Sequence, residues 1–124
     1  MFEFPLTKEQ EVNVYQLIMA LRSGKYPQGK GHLKGIGSGG YCPLGVACEI
    51  SGLGRWRAMG LVLAFILKND FAATQLPEAV RKHYGFKSRY PKTKDGKSIV
   101  SLNDDERLPF EQIAEIIEQE VLNK

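Results

Sequence analysis

Cysteine is scarce: two residues in a chain of 124 are no disulfide framework for a small secreted domain. Long apolar runs are missing too. The longest, Ala58 to Leu67, is about half the roughly 20 residues that a helix needs to cross a bilayer. The first residues carry neither the basic start nor the apolar stretch of a secretory signal. No internal repeat and no low-complexity linker divides the chain. Paired carboxylates and a base-activated nucleophile are equally absent as sequence patterns. These absences lead us to expect one soluble, reduced, cytoplasmic domain spanning 1–124, away from membranes and without catalytic residues. What is present is ordinary for a globular protein: 43% hydrophobic and 25% charged residues. That balance excludes disorder and collagen-like repeats. A chain this long buries well over half of its unfolded surface and needs no staples.

The formal charge of +3 conceals a split. Arg22 to Lys97 carries 14 Lys and Arg against four acids, whereas residues 1–21 balance at −2 and residues 98–124 at −5. Such a distribution fits either an anion-binding face or acidic helices neutralised by basic loops beside them.

Thr7 and Gln10 have capping-box spacing. Val14, Leu17, Ile18 and Leu21 then recur at one-face helical intervals. A helix over 8–22 follows, closed by Ser23-Gly24. Pro43 suits the first turn of a helix whose apolar body is Leu44 to Ile50 and whose stops are Gly52 and Gly54. Leu76-Pro77-Glu78 opens another helix, with Ala79, Val80, His83 and Tyr84 inward and Gly85 at its end. Asp95-Gly96 is a turn signal, so residues 88–102 read as a β-hairpin whose better strand holds Ser98, Ile99, Val100 and Leu102. Pro91 marks the partner strand as an edge. From Pro109 a last helix over 109–122 buries Phe110, Ile113, Ala114, Ile117 and Val121. Its glutamates Glu111, Glu115, Glu118 and Glu120 lie on the wet side. Between Arg55 and Asp70 the run 58–67 is apolar on every side, which fits a buried helix or a buried strand; the reading leans to helix. The expected fold is a small, mainly helical α+β domain with a β-hairpin and a glycine-rich loop.

Residues 24–45 hold eight of the 13 glycines, interleaved with Tyr26, Leu33, Ile36 and Tyr41. We expect an irregular segment with one short β-ribbon, where glycine permits sharp turns or close backbone approach. Gly35 to Gly40 matches G-x-G-x-x-G, but no hydrophobic strand precedes it, as a dinucleotide fold requires. A looser nest of amides for a phosphate is the functional alternative, helped by Lys25, Lys30 and Lys34. The bland alternative is a turn-rich loop with solvated lysines. Asn103-Asp104 serves either as a capping pair or as a reader, with Asn103 on a ligand edge and Asp104 orienting a loop lysine or tyrosine. The tentative ligand site is therefore Lys25, Tyr26, Gln28, Lys30, His32, Lys34, Tyr41, Asn103 and Asp104. Cys42, Cys48, His32 and His83 lack the close pairing of structural zinc ligands, so no metal and no cofactor is expected. Cys42 stands near a helix start, where a thiol pKa tends to fall. Arg81 to Lys97 interleaves cations with Tyr84, Phe86 and Tyr90, a pattern that suits nucleic acid. Recognised nucleic-acid motifs are missing from it.

Four separated blocks carry a resemblance. They are Ala20 to Leu33, Tyr41-Cys-Pro-Leu-Gly-Val-Ala-Cys-Glu49, Leu76-Pro-Glu-Ala-Val80 with Tyr84-Gly-Phe86, and Leu102-Asn-Asp104 before Phe110-Glu-Gln-Ile-Ala114 and Ile117-Glu118. In order and spacing they resemble a family of small uncharacterised proteins of bacteriophages and prophages. The chain departs from it at Pro43, where members often carry a second cysteine, and in the apolar run 58–67. The resemblance implies a small accessory protein acting on a host molecule in the host cytoplasm. Our expectation is a non-enzymatic protein that binds and modulates or inhibits a host protein. The alternatives are a sponge for a small anionic, nucleotide-like ligand held by the loop lysines, and nucleic-acid binding through residues 81–97.

Overall fold

The computed structural model describes residues 1–37 and 39–123. Ser38, inside the G-x-G-x-x-G match, and Lys124, counted in the terminal charge, lie outside the described residues.

Helix α1 (Lys8–Arg22) starts where its caps dictate. Thr7 Oγ1 accepts from the Gln10 amide and Gln10 Oε1 accepts from the Thr7 amide, which completes the capping box. Its inward stripe is Val14, Leu17, Ile18 and Leu21. Buried Asn13 joins that stripe and donates through Nδ2 to the His83 carbonyl. Helix α2 (Pro43–Ser51) has proline in its first turn and Gly52 as a left-handed cap at φ +69. Helix α3 (Glu78–Tyr84) ends on Gly85. Only Val80 and Tyr84 are buried there; His83 is half-buried, and Ala79 is exposed against expectation. Helix α5 (Phe110–Leu122) buries the five residues that its period predicts. Glu111 and Glu115 are exposed, while Glu118 and Glu120 are half-covered. Helix α1 packs against α5, α2 and α3, so the core lies around it.

Two regions exchange roles relative to the sequence reading. The hairpin expected at 88–102 is absent as a pair of strands. The Asp95-Gly96 turn forms, with Thr93 N donating to Lys97 O at 2.8 Å, but only one bridge follows, Lys92 to Ser98. The chain then enters helix α4 (Ile99–Asp104), because Ser98 Oγ accepts from the Ser101 amide and Ile99, Leu102 and Asn103 turn inward at i, i+3 and i+4. So short an apolar group satisfies either period, and the cap decides.

The hairpin lies instead at 55–66, where a helix was expected. Strand β1 (Arg55–Met59) pairs antiparallel with β2 (Val62–Ile66), and β2 with β3 (Phe71–Ala72), in the order β1-β2-β3. Gly60-Leu61 is a two-residue connection with Gly60 at φ +65, the Gly-X turn that suits a twisted hairpin. The run is not buried all round: Leu61 at its tip is 92% exposed. The expected β-ribbon in residues 24–45 reduces to isolated bridges of Tyr41 with Gln28 and Lys34. Glycine there serves backbone-on-backbone packing. A side chain at Gly29 would strike the Gly39 carbonyl, and one at Gly45 the Leu33 carbonyl.

Candidate functional site

The glycine segment is tied down by three of the nominated residues. Gln28 Nε2 donates to Asn103 Oδ1 and to the Leu108 carbonyl, both at 2.7 Å, and its Oε1 accepts from the Phe110 amide. Asn103, 3% exposed, donates through Nδ2 to the Gly29 carbonyl and to Asp104 Oδ1, each at 2.8 Å. Asp104 Oδ2 accepts from the Gly31 amide at 3.1 Å. Gln28, Asn103 and Asp104 thus form one clamp that fastens the loop to α4 and to the start of α5. The loop amides are engaged as well: Gly29 with Tyr41 O, Leu33 with Ala73 O, Gly35 with Gly40 O, and Tyr41 with Pro27 O. These donors, with the Gly31 amide, are spent within the fold and are not offered to a phosphate.

The nominated lysines have separate surroundings. Lys34 Nζ lies 4.9 Å from the Tyr41 ring centroid and 5.4 Å from that of Trp56, with Glu49 Oε1 at 3.8 Å. The same Glu49 oxygen accepts from Tyr41 Oη at 2.8 Å and Trp56 Nε1 at 3.3 Å. Tyr26 meets Tyr41 edge-on, and burial raises the Tyr41 pKa from its ordinary value. Lys34 and Tyr41 therefore belong to an aromatic cluster that seats β1 on α2. Lys25 and Tyr26 line a separate cavity of about 350 Å³ with Met19 and Ile50, and Lys30 is exposed on the loop.

His32 and Cys42 share a third cavity, about 280 Å³, with Tyr90 and Asp104; His83 lines another, beside Glu9. Among the described residues no three His, Cys, Asp or Glu side chains gather as a metal site. The helix start does not lower the Cys42 pKa. Burial pushes the thiol up to about 11, against the Leu44 and Gly45 amides that favour its thiolate. Burial also holds the His83 pKa below its usual value.

Residues 81–97 lose two of the three stacking groups of the nucleic-acid pattern, because Tyr84 and Phe86 are fully buried, while Tyr90 stays 39% exposed. Arg81 pairs with Glu78 and Glu3, and Arg89 with Asp70.

One surface feature is one that sequence reasoning missed. Directly opposed residues of a ladder share a face. Trp56 and Phe65, with Ala72 beside them, turn toward the core. The opposite face presents Arg55, Arg57, Met59, Val62, Ile66 and Phe71 around a buried Ala64. Met59 is 45% and Phe71 59% exposed. A groove of about 540 Å³ there is lined by Arg57, Met59, Ile66, Lys68, Asp70 and Phe71 among others. Arg55, Arg57 and Lys68 take no ion pair among the described residues. The signal was present in the alternation of Arg55-Trp-Arg-Ala-Met59 before Gly60-Leu61, a two-residue turn between runs of equal length.

Fold and surface together define a small α+β domain with a helical core and a three-stranded sheet that leaves an apolar face uncovered. The chain belongs to a family of domains of unknown function, DUF8296, whose model matches residues 9–121. No curated protein and no solved structure matches it. Among the described residues no helix is long and apolar enough to cross a membrane.

Proposed function

We propose that this chain is a non-enzymatic accessory domain that binds another protein, and modulates or inhibits it, through the outer face of the β1-β2-β3 sheet. The observation that carries the reading is that face itself: Met59, Ile66 and Phe71 in a groove that Arg57, Lys68 and Asp70 also line. Exposed apolar patches bounded by polar groups mark interaction sites, and aromatic residues, methionine and arginine are the types that interfaces favour. A partner that covered Phe71, 59% exposed, would take its ring out of water, which favours docking there. In the phage-type setting that the sequence blocks imply, the covered protein is the host's. The small-anion reading has less support, because the amides of Gly29, Gly31, Leu33 and Gly35 and the Gln28–Asn103–Asp104 clamp are occupied internally. A buried thiol with a pKa raised to about 11 also supports binding over thiol catalysis.

The test is native mass spectrometry of tagged protein recovered from host lysate, run beside Leu61→Asp, Phe71→Asp and Lys25→Ala/Lys30→Ala variants of unchanged melting temperature. The expected result is a protein held at a fixed ratio by the wild type and by the lysine variant, and lost from both aspartate variants. Retention by the aspartate variants overturns the reading. So does an added mass of a few hundred daltons that only the lysine variant loses.

A further inference from the structure

We infer that the partner docks by adding an extended, acidic strand along the free edge of β1. This rests on the protein-docking reading and names the chemistry of its partner. Strand β1 pairs only with β2 in the sheet order, and antiparallel geometry leaves every second residue of an edge strand with its N–H and C=O turned outward. Natural edges are blunted by shortness and by charge, which β1 has in its five residues and two arginines; they are closed outright by proline, by a bulge or by a covering element. This edge has none of those closures: its five-residue register with β2 is unbroken, and all of β1 except half-buried Trp56 is exposed. It is therefore a template for a strand supplied from elsewhere.

The side chains select which strand. Arg55 and Arg57 stand two residues apart on the outer face, exposed and without ion pairs among the described residues. Cross-strand neighbours on one face lie about 4.5–5.5 Å apart at Cβ, so acids at i and i+2 of an added strand fall opposite both guanidiniums. Met59, further along that face, takes an apolar neighbour. A second copy is disfavoured by the same charges: an antiparallel pairing of two β1 strands centred on Arg57 sets that arginine against its own copy. Nucleic acid fits poorly on a face whose other members are Met59, Val62, Ile66 and Phe71. Outward backbone groups at strand spacing match a peptide, not a phosphate chain.

The probe is the nonapeptide Thr-Val-Thr-Glu-Thr-Glu-Thr-Val-Thr, which sets two acids and a flanking valine on one face, with the same peptide carrying lysine at both glutamates and a ten-residue oligothymidine as controls. Binding is followed by amide shifts and by hydrogen exchange on the full chain. The expected result is saturable binding of the glutamate peptide, with slowed exchange at alternate residues of β1. Arg55→Glu/Arg57→Glu, which must keep the wild-type melting temperature, should weaken it about tenfold, as two lost cross-strand charge pairs allow, and should bind the lysine peptide instead. That exchange of preference cannot come from a merely damaged fold. No binding, equal binding of the two peptides, or preference for the oligonucleotide overturns the inference. Shifts at Met59 and Phe71 without protection along β1 overturn strand addition while leaving face docking intact. Loss of lysate capture in Phe71→Asp with no peptide response gives the same separation.

Discussion

Asn103 illustrates how a single residue carries a loop. Its amide holds the Gly29 carbonyl, and its oxygen receives Gln28, whose other contacts reach Leu108 and Phe110. Buried groups left without a partner cost about 1–3 kcal/mol each. Asn103→Ala strands the Gly29 carbonyl and removes one of the two acceptors of Gln28. We expect a loss of about 1–3 kcal/mol in urea unfolding, with the loop amides of Gly29 and Gly31 exchanging faster. A loss under about 0.5 kcal/mol, the scatter of ordinary surface substitutions, would mean that the loop stands without its clamp. Sequence inspection nominated Gln28, Asn103 and Asp104 as ligand-binding residues, and the structure joins the three by hydrogen bonds. It could not say whether their hydrogen-bond capacity pointed out to a ligand or back to the chain. That depends on which carbonyls the glycine turns bring near, and glycine leaves those turns open.

At the scale of elements, the helix at 99–104 depends on its cap more than on its six residues. Helices this short are marginal alone, so first-turn satisfaction decides whether the segment enters as helix or strand. Ser98→Ala removes the acceptor for the Ser101 amide, and we expect it to cost about 1 kcal/mol in thermal or urea unfolding. If Ser98 were a strand residue, the change would be close to neutral. Long amphipathic elements were legible. The capping box, the stripe of α1, the stripe of α5 and the glycine stop of α3 all follow from period and cap chemistry. Two short regions were not. Residues 58–67 are apolar throughout, and the rule that such runs are buried overrode the Gly-X turn in their middle. Residues 88–102 had a true turn, but one bridge of pairing gave way to a capped helix. In both, tertiary position chose between local conformations that the residues permit equally.

For the whole molecule, the segregation of charge along the chain is partly undone by folding. Arg22 reaches Glu115 and Glu118 at 2.9 and 3.0 Å, Lys97 reaches Glu106, Arg81 reaches Glu3, and the amino terminus meets Glu120. The acidic ends and the basic middle thus partly neutralise one another, and the cations left over include the rim of the sheet face. The two populations should answer differently to salt. Exposed ion pairs contribute about 0–1 kcal/mol each and are screened, so stability should change little with ionic strength. Docking that depends on unpaired Arg55 and Arg57 loses attraction as the screening length shrinks from about 30 Å at 0.01 M to about 8 Å at 0.15 M. Raising sodium chloride from 0.01 to 0.5 M should leave the melting temperature nearly level while weakening the acidic peptide progressively, through slower association first. A melting temperature that falls steeply with salt would place the important charges inside the fold. Salt-independent peptide binding would leave Met59 and Phe71 to carry the contact by apolar burial alone.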